Sequence, residues 1–218
     1  MRTLALALAA TAALAAPASA QIRITRTGAA SGGELLLEEA PASFGVGAWQ
    51  VGQWARYSVA ENVGGGMPLG RLRSISVVGQ RGERFWVESQ TEFTGAMQAA
   101  GPVRKMLIPF GALREAVNGE SYTLMPDSSL RRETLLRAGA GNRPPVFPEG
   151  WTRVGEEQVT VAAGAFSAVH WRKGGEDLWV SAAAAPVGVV KYASADMQIE
   201  LAARGDTGAR SRIAAGGN

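Results

Sequence analysis

His170 is the only histidine in the chain, and its side chain is the one best suited to proton transfer near neutral pH. A zinc site built on two histidines is therefore impossible, and a nucleophilic triad would have a single imidazole to draw on. Residues 166–171, FSAVHW, have the alternation of a strand with aromatic neighbours. We interpret His170 as a half-buried structural residue, with a hydrolase built around it as a remote alternative.

Other catalytic patterns are incomplete. Residues 119–123, GESYT, come closest to a nucleophile elbow but lack its final glycine, so we interpret them as a turn. No serine precedes a lysine at the S-x-x-K spacing and no lysine follows a glycine, which argues against a penicillin-binding site and a P-loop. The carboxylates occur as adjacent pairs, which point to opposite faces of a strand. These doublets are Glu38-Glu39, Glu156-Glu157 and Glu176-Asp177. We expect no enzyme, no cofactor and no metal site.

The first twenty residues have the pattern of a secretory signal peptide. Arg2 precedes a Leu/Ala-rich core, and the small residues Ala18-Ser19-Ala20 precede Gln21. The apolar core is shorter than the roughly 20 residues that a membrane-spanning helix needs. The chain contains no cysteine, so neither a disulfide nor lipid attachment to a cysteine is expected. The sequence predicts a periplasmic or secreted protein, cleaved after Ala20, that is neither lipid-anchored nor transmembrane.

Composition divides the rest of the chain into three parts. We expect a flexible leader at 21–43, one globular domain at 44–203 and a disordered tail at 204–218. The formal net charge of +3 does not indicate nucleic-acid binding. Arginines cluster locally, and an anionic membrane surface or an acidic envelope protein could use them, although a solvated face is the simpler interpretation. The clusters are Arg131, Arg132, Arg137 and Arg143, then Arg204, Arg210 and Arg212.

The pattern of the globular part predicts strands, then helices, then strands. Period-two alternation favours strands at 52–59, 71–78 and 84–92. Apolar spacings of three and four favour short helices at 103–117, and a second helix capped by Asp127 or Ser128 that ends at Gly139. Further strands are predicted at 159–161, 166–172, 178–180, 187–192 and 197–201. The predicted fold class is α+β, with a curved, mainly antiparallel sheet, a half-barrel, packed against a few short helices.

Four motifs carry a family resemblance. They are V-x-A-G-x-F at 161–166, W-x-S at 179–181 and P-x-G-x-V-K at 186–191, together with V-G-x-W-x-x-Y at 51–57. With these motifs the chain resembles secreted bacterial families related to the periplasmic lipoprotein localisation factors. The resemblance implies a curved antiparallel sheet wrapped around helices that can hold lipid chains.

Two further hypotheses of function follow, both non-enzymatic. The first is a domain that binds a lipid or another apolar small molecule between sheet and helices, lined by large apolar residues. The candidate ligand-binding residues are Met97, Met106, Leu107, Phe110, Leu113 and Trp179. The second is a structural or envelope protein-interaction module, in which the same residues form a closed core. The ligand, the partner and the oligomeric state stay open.

Overall fold

A computed structural model describes residues 47–63, 67–95, 98–110, 119–135 and 150–215. The signal peptide and the leader predicted at 21–43 lie outside these residues. Within them the chain is almost entirely strand, with one short 3₁₀ turn at Ala182–Ala184. The strands are β1 Trp54–Val63, β2 Met67–Arg81, β3 Arg84–Phe93, β4 Ala99–Pro109, β5 Gly119–Leu124, β6 Leu130–Leu135, β7 Thr152–Val161, β8 Gly164–Lys173, β9 Glu176–Val180, β10 Val189–Ala193 and β11 Met197–Gly205.

All eleven strands belong to one antiparallel sheet, in the order β6-β5-β4-β3-β2-β1-β11-β10-β9-β8-β7. Strands β1–β6 form one meander and β7–β11 form another, and the pairing of β1 with β11 joins them. The second meander curls, because the Ala163 amide in the β7–β8 turn donates to the Leu201 carbonyl of β11 at 3.2 Å. Short hairpin connections explain the antiparallel topology, since parallel neighbours would need long crossovers.

The sheet has two faces, and each carries its own buried cluster. We call the face that bears Tyr57, Ile75 and Val87 the first face. Its cluster extends across both meanders. Trp49 packs into this cluster, where its indole Nε1 donates to the Pro186 carbonyl at 2.8 Å. The second face bears a smaller cluster around Trp86.

The α+β prediction is wrong, because the middle of the chain is sheet and not helix. The segment predicted as helical from residue 103 is strand β4 up to Pro109, and residues 111–118 lie outside the described part. Residues 105–108 are all buried, because β4 is covered on both faces. A strand buried on both faces reads as a continuous apolar run and loses its period of two. The three-and-four spacing was therefore accidental.

The second predicted helix is also a strand, β6, which pairs with β5. Asp127 does act as a cap, but of a hairpin turn. Its carboxylate accepts hydrogen bonds from the Ser129 amide at 3.0 Å and the Ser129 hydroxyl at 2.6 Å. Asx side chains stabilise such turns as readily as they begin helices. The supposed turn at 119–123 is part of β5.

The strands predicted in the first and last thirds of the domain are confirmed as β1–β3 and β7–β11. Period-two alternation of residue type predicted these strands, and β3 keeps its strand pattern although residues 85–88 are buried on both faces. Gly82 lies in the turn that links β2 to β3, and its φ of +60° is one that glycine adopts without strain. Over the described ranges, no helix combines the length and apolar character that a membrane crossing requires.

Candidate functional site

The residues predicted to line one cavity are distributed over both faces of the sheet. Met106 belongs to the first-face cluster, and Phe110 packs against it. The Phe110 ring lies edge-on to Trp49 at 5.4 Å between centroids. Leu107, next to Met106 on β4, belongs to the second-face cluster.

Trp179 lies on β9, in the other meander. Met97 and Leu113 lie outside the described residues. The structure therefore places Met106, Phe110 and Trp179 in or against the first-face cluster, and Leu107 in the second-face cluster. The described part of the first face is a packed core, in which Tyr57, Val77 and Val87 are fully buried.

His170 is the centre of a polar cluster on β7, β8 and β9. Its Nε2 lies 2.7 Å from an Asp177 carboxylate oxygen, and its Nδ1 lies 3.3 Å from a Glu157 oxygen. The ring stacks on Trp179 with centroids 4.5 Å apart. The Trp179 indole also donates to Glu157. One member of each of two carboxylate doublets thus reaches the imidazole, a convergence that sequence adjacency could not reveal.

The contacts of this His170 cluster link strands β7, β8 and β9. Burial alone would raise the pKa of Asp177, but hydrogen bonds from Arg172 and His170 and their positive charges bring it below its ordinary value. Both ring nitrogens face carboxylates, so the ring is held between Asp177 and Glu157. Neither nitrogen is directed at a serine, threonine or tyrosine hydroxyl among the contacts of the described residues. Those residues also contain no group of three or more potential metal ligands.

A second polar site lies on the second face of β3 and β4, and the sequence analysis missed it. Residues 206–215, which we call the strap, follow β11 and lie back against this face. Composition had predicted a disordered tail here, but Ile213 is 2% exposed. The Trp54 indole donates to the Thr207 carbonyl at 3.2 Å, and the Ala209 amide donates to the Gly52 carbonyl at 2.9 Å.

The Glu88 side chain binds the main chain of the strap. The Glu88 carboxylate accepts hydrogen bonds from the amides of Arg212 at 3.0 Å and Ile213 at 3.2 Å. It also accepts the Ser211 hydroxyl at 2.5 Å. Since Glu88 is 5% exposed, these donors replace its lost hydration.

Lys105 completes the site from the neighbouring strand. It is directly opposite Glu88 in the β3–β4 register and is 0% exposed. Its Nζ donates to the Ile213 carbonyl at 2.9 Å and to the Ser211 hydroxyl oxygen at 3.0 Å. Burial lowers the pKa of Lys105, and the Glu88 carboxylate opposes that shift. The ammonium also lies 5.1 Å from the Trp86 ring centroid, a cation–π distance.

An apolar pocket receives Ile213 beside these polar groups. Gln90 adds a third polar contact, because its side-chain oxygen accepts the Arg212 guanidinium. We call the whole receptor the strap groove. It comprises Val78, Trp86, Glu88, Gln90, Val103, Lys105, Leu107 and Tyr122. The available sequence signal was the alternation on β3, which places Trp86, Glu88 and Gln90 on one face.

No family model matches this chain, and no curated protein matches it. Several solved structures match this chain at low sequence identity. A protein of Parabacteroides distasonis, provisionally described as a lipoprotein, is 11% identical with a TM-score of 0.34, over 72% of this chain and 96% of that one. An exported-type protein of Bacteroides fragilis with a YmcC-like fold is 10% identical with a TM-score of 0.34, over 72% and 97%.

A third similar structure is a DUF1329 family protein of Desulfovibrio piger, 14% identical with a TM-score of 0.26, over 66% of this chain and 65% of that one. None of the three is named for an enzymatic activity. The antiparallel sheet agrees with the resemblance to lipoprotein localisation factors, while lipid binding stays a prediction.

Proposed function

We propose that this chain is an exported, non-enzymatic protein-interaction module whose second face binds an extended peptide segment in the strap groove. The observation that carries the proposal is the recognition of main-chain atoms by two buried charges. Glu88 accepts two consecutive amides of the strap, and Lys105 donates to a carbonyl of the same segment. Main-chain hydrogen bonds combined with a side-chain pocket are how extended peptides are commonly bound.

Buried charges add specificity more readily than they add stability. Removing an ammonium and a carboxylate from water costs several kcal/mol per ion, and an apolar contact of equal size is often as stable. A segment that needed only to be tied down could rest on the apolar part of the groove. Glu88, Lys105 and Gln90 additionally require a chain with free amides, a carbonyl and a guanidinium at defined positions. That requirement favours recognition of a particular peptide.

A lipid-binding function, which the family resemblance implies, requires an apolar cavity. Two of its candidate residues, Met106 and Leu107, are 7% and 3% exposed in clusters on opposite faces. This separation favours the interaction module over the lipid carrier. Lipid extraction of the purified protein followed by mass spectrometry tests the carrier directly. A stoichiometric copurifying lipid would favour it.

The peptide-binding proposal is tested on the full chain with a weakened strap. Ile213→Asp places a charge in the apolar pocket and should release the strap from the groove. A fluorescent peptide of residues 206–215, DTGARSRIAA, is then titrated and followed by anisotropy. We expect saturable binding at least about tenfold tighter than to the wild-type chain, whose tethered strap competes at a high effective concentration.

The controls distinguish sequence-specific binding of the peptide from nonspecific binding. A peptide of the same composition in scrambled order should not bind, and Glu88→Gln combined with Ile213→Asp should abolish binding. If Ile213→Asp does not fold by circular dichroism, Ser211→Ala with Arg212→Ala weakens the strap more gently. A folded, strap-weakened protein that ignores the peptide would overturn the proposal.

A further inference from the structure

The strap is joined to the sheet differently at its two ends. Near β11 it is held by two contacts with β1 and the turn before it, from Trp54 and Gly52. Beyond residue 210, the polar contacts that the described part of the strap makes with the sheet reach Glu88, Gln90 and Lys105 on β3 and β4. The groove therefore belongs to the first meander, while the segment that occupies it follows the last strand of the second meander.

A glycine joint, Gly208, lies within the first attachment, between Thr207 and Ala209, so a change of chain direction there also releases the hydrogen bond from the Ala209 amide to Gly52. Gly208 has a φ of +96°, and a Cβ built there would meet nothing within 4 Å. Glycine adopts this backbone conformation without strain, and no neighbouring atom lies where a side chain would be. The chain can therefore change direction at Gly208 without steric cost. The joint is six residues or fewer from the Ser211–Ile213 contacts. Short hinges that precede a docked segment are the places where identical chains exchange elements.

We propose that the partner which fits the strap groove is the strap of a second copy of this chain. This inference rests on the proposed function, because it needs the groove to act as a peptide-binding site. A second copy has the same sequence, so its strap carries every group that the groove contacts. The second copy supplies the Ser211 hydroxyl and the Arg212 guanidinium, and the Ile213 side chain for the pocket.

Exchange conserves the contacts at the groove and changes only the chain that provides them. Dissociating a strap in one copy and docking it in another leaves the Glu88 and Lys105 hydrogen bonds equal in number. The balance is then set by the effective concentration of the tethered strap, on the millimolar scale for short linkers, against the concentration of protein. Dilute protein is then monomeric, and a high local concentration of the protein favours strap-exchanged dimers.

Complementation of two full-length variants tests the exchange. The acceptor, Ile213→Asp, keeps the groove and loses the strap. The donor, Glu88→Gln, keeps the strap and loses the groove. Each is examined alone and mixed by sedimentation velocity and native mass spectrometry, above the dissociation constant measured for the 206–215 peptide. We expect a one-to-one heterodimer in the mixture and monomers in each separate sample.

Two further results complete the test. Adding Ser211→Ala and Arg212→Ala to the donor should abolish the heterodimer. If Glu88→Gln does not fold, Gln90→Ala serves as the donor. A mixture that stays monomeric while the acceptor still binds the free peptide overturns the exchange and leaves the proposed function intact. An acceptor that binds neither peptide nor donor overturns both.

Discussion

The pair formed by Glu88 and Lys105 dominates the chemistry of single residues in this chain. Both are buried on the second face and both contact the strap. A buried ammonium is stable only where acceptors replace its water shell. Here the Ile213 carbonyl and the Ser211 hydroxyl take that role, so the charge on Lys105 depends on a segment more than a hundred residues away in sequence.

Lys105→Met should therefore destabilise the protein. The substitution removes the ammonium that donates to the Ile213 carbonyl and leaves the Glu88 carboxylate without its opposite charge. We expect a loss of about 3 kcal/mol in the free energy of unfolding, the order typical of breaking one partner of a buried charge contact. Urea denaturation followed by circular dichroism measures it.

The matched control is Lys173→Met, since Lys173 is exposed at the end of β8. It should change stability by less than about 0.5 kcal/mol. Equal effects of the two substitutions would show that the burial of Lys105 has no energetic consequence.

Asp177 gives the His170 cluster a pH dependence with a definite sign. Its pKa in the folded protein lies below its ordinary value, so between the two pKa values the unfolded chain binds more protons and stability rises with pH. The contribution is full above about pH 4 and is lost as the pH falls through the folded pKa. Asp177→Asn should lower stability at pH 7 by up to about 1 kcal/mol.

The difference between Asp177→Asn and the wild type should shrink as the pH is lowered from 4 towards 2, as followed by thermal unfolding in a pH series. Asp196→Asn, at an exposed position, should show no such convergence. A constant difference across the series would contradict the assigned role of the carboxylate.

At the scale of elements, the course of the strap depends on a close approach between the end of β11 and the Trp54 indole. Gly205 ends that strand, and a Cβ built there would collide with the indole of Trp54. The Trp54 ring is rigid and its Nε1 already donates to the Thr207 carbonyl. The absence of a side chain at Gly205 therefore lets the strap begin its course across the sheet.

Gly205→Ala should destabilise the protein by about 1–3 kcal/mol, the usual cost of overpacking, as measured by urea denaturation. Gly175→Ala is the matched control, because a Cβ there meets nothing within 4 Å. The control should be neutral or slightly stabilising, since alanine reduces the freedom of the unfolded chain. Destabilisation by the control and not by Gly205→Ala would refute this account of the close approach.

The elements also show where sequence patterns succeed and fail. Strands β1–β3 and β7–β11 were predictable because alternating residue types and flanking turn residues mark them in the sequence. Strand β4 was not, because Lys105, Met106 and Leu107 are buried on alternate faces and the apolar period disappears. The His170 interaction with Asp177 and Glu157 could not be predicted, because it depends on the register of three strands. The strap groove could not be predicted either, because it depends on contacts between β3 and residues 211–213.

At the scale of the whole molecule, two meanders share one sheet and one core. Strands β1 and β11 pair from Trp54 with Gly205 to Glu61 with Met197, and the first-face cluster draws residues from both meanders. Such non-local pairing makes the halves depend on each other and slows folding relative to local topologies.

Cutting the backbone between Leu135 and Gly150, at an introduced protease site, should therefore leave the two fragments associated. They should coelute in gel filtration and separate only in denaturant, because the β1–β11 ladder and the shared core persist after the cut. Separately expressed fragments should be unfolded by circular dichroism. Fragments that separate under native conditions, or fold alone, would show that the meanders are independent.

The sequence by itself indicated an exported domain without cysteines, a mainly antiparallel sheet and most of its strands, because signal peptides, turns and half-exposed strands leave local patterns. Only the tertiary structure decided that the middle of the chain is sheet, that the predicted cavity residues divide between two faces, and that residues 206–215 cover Glu88 and Lys105. The physical reason is that burial on both faces, cross-strand register and strap docking depend on residues far apart in the chain, and local periodicity carries no record of them.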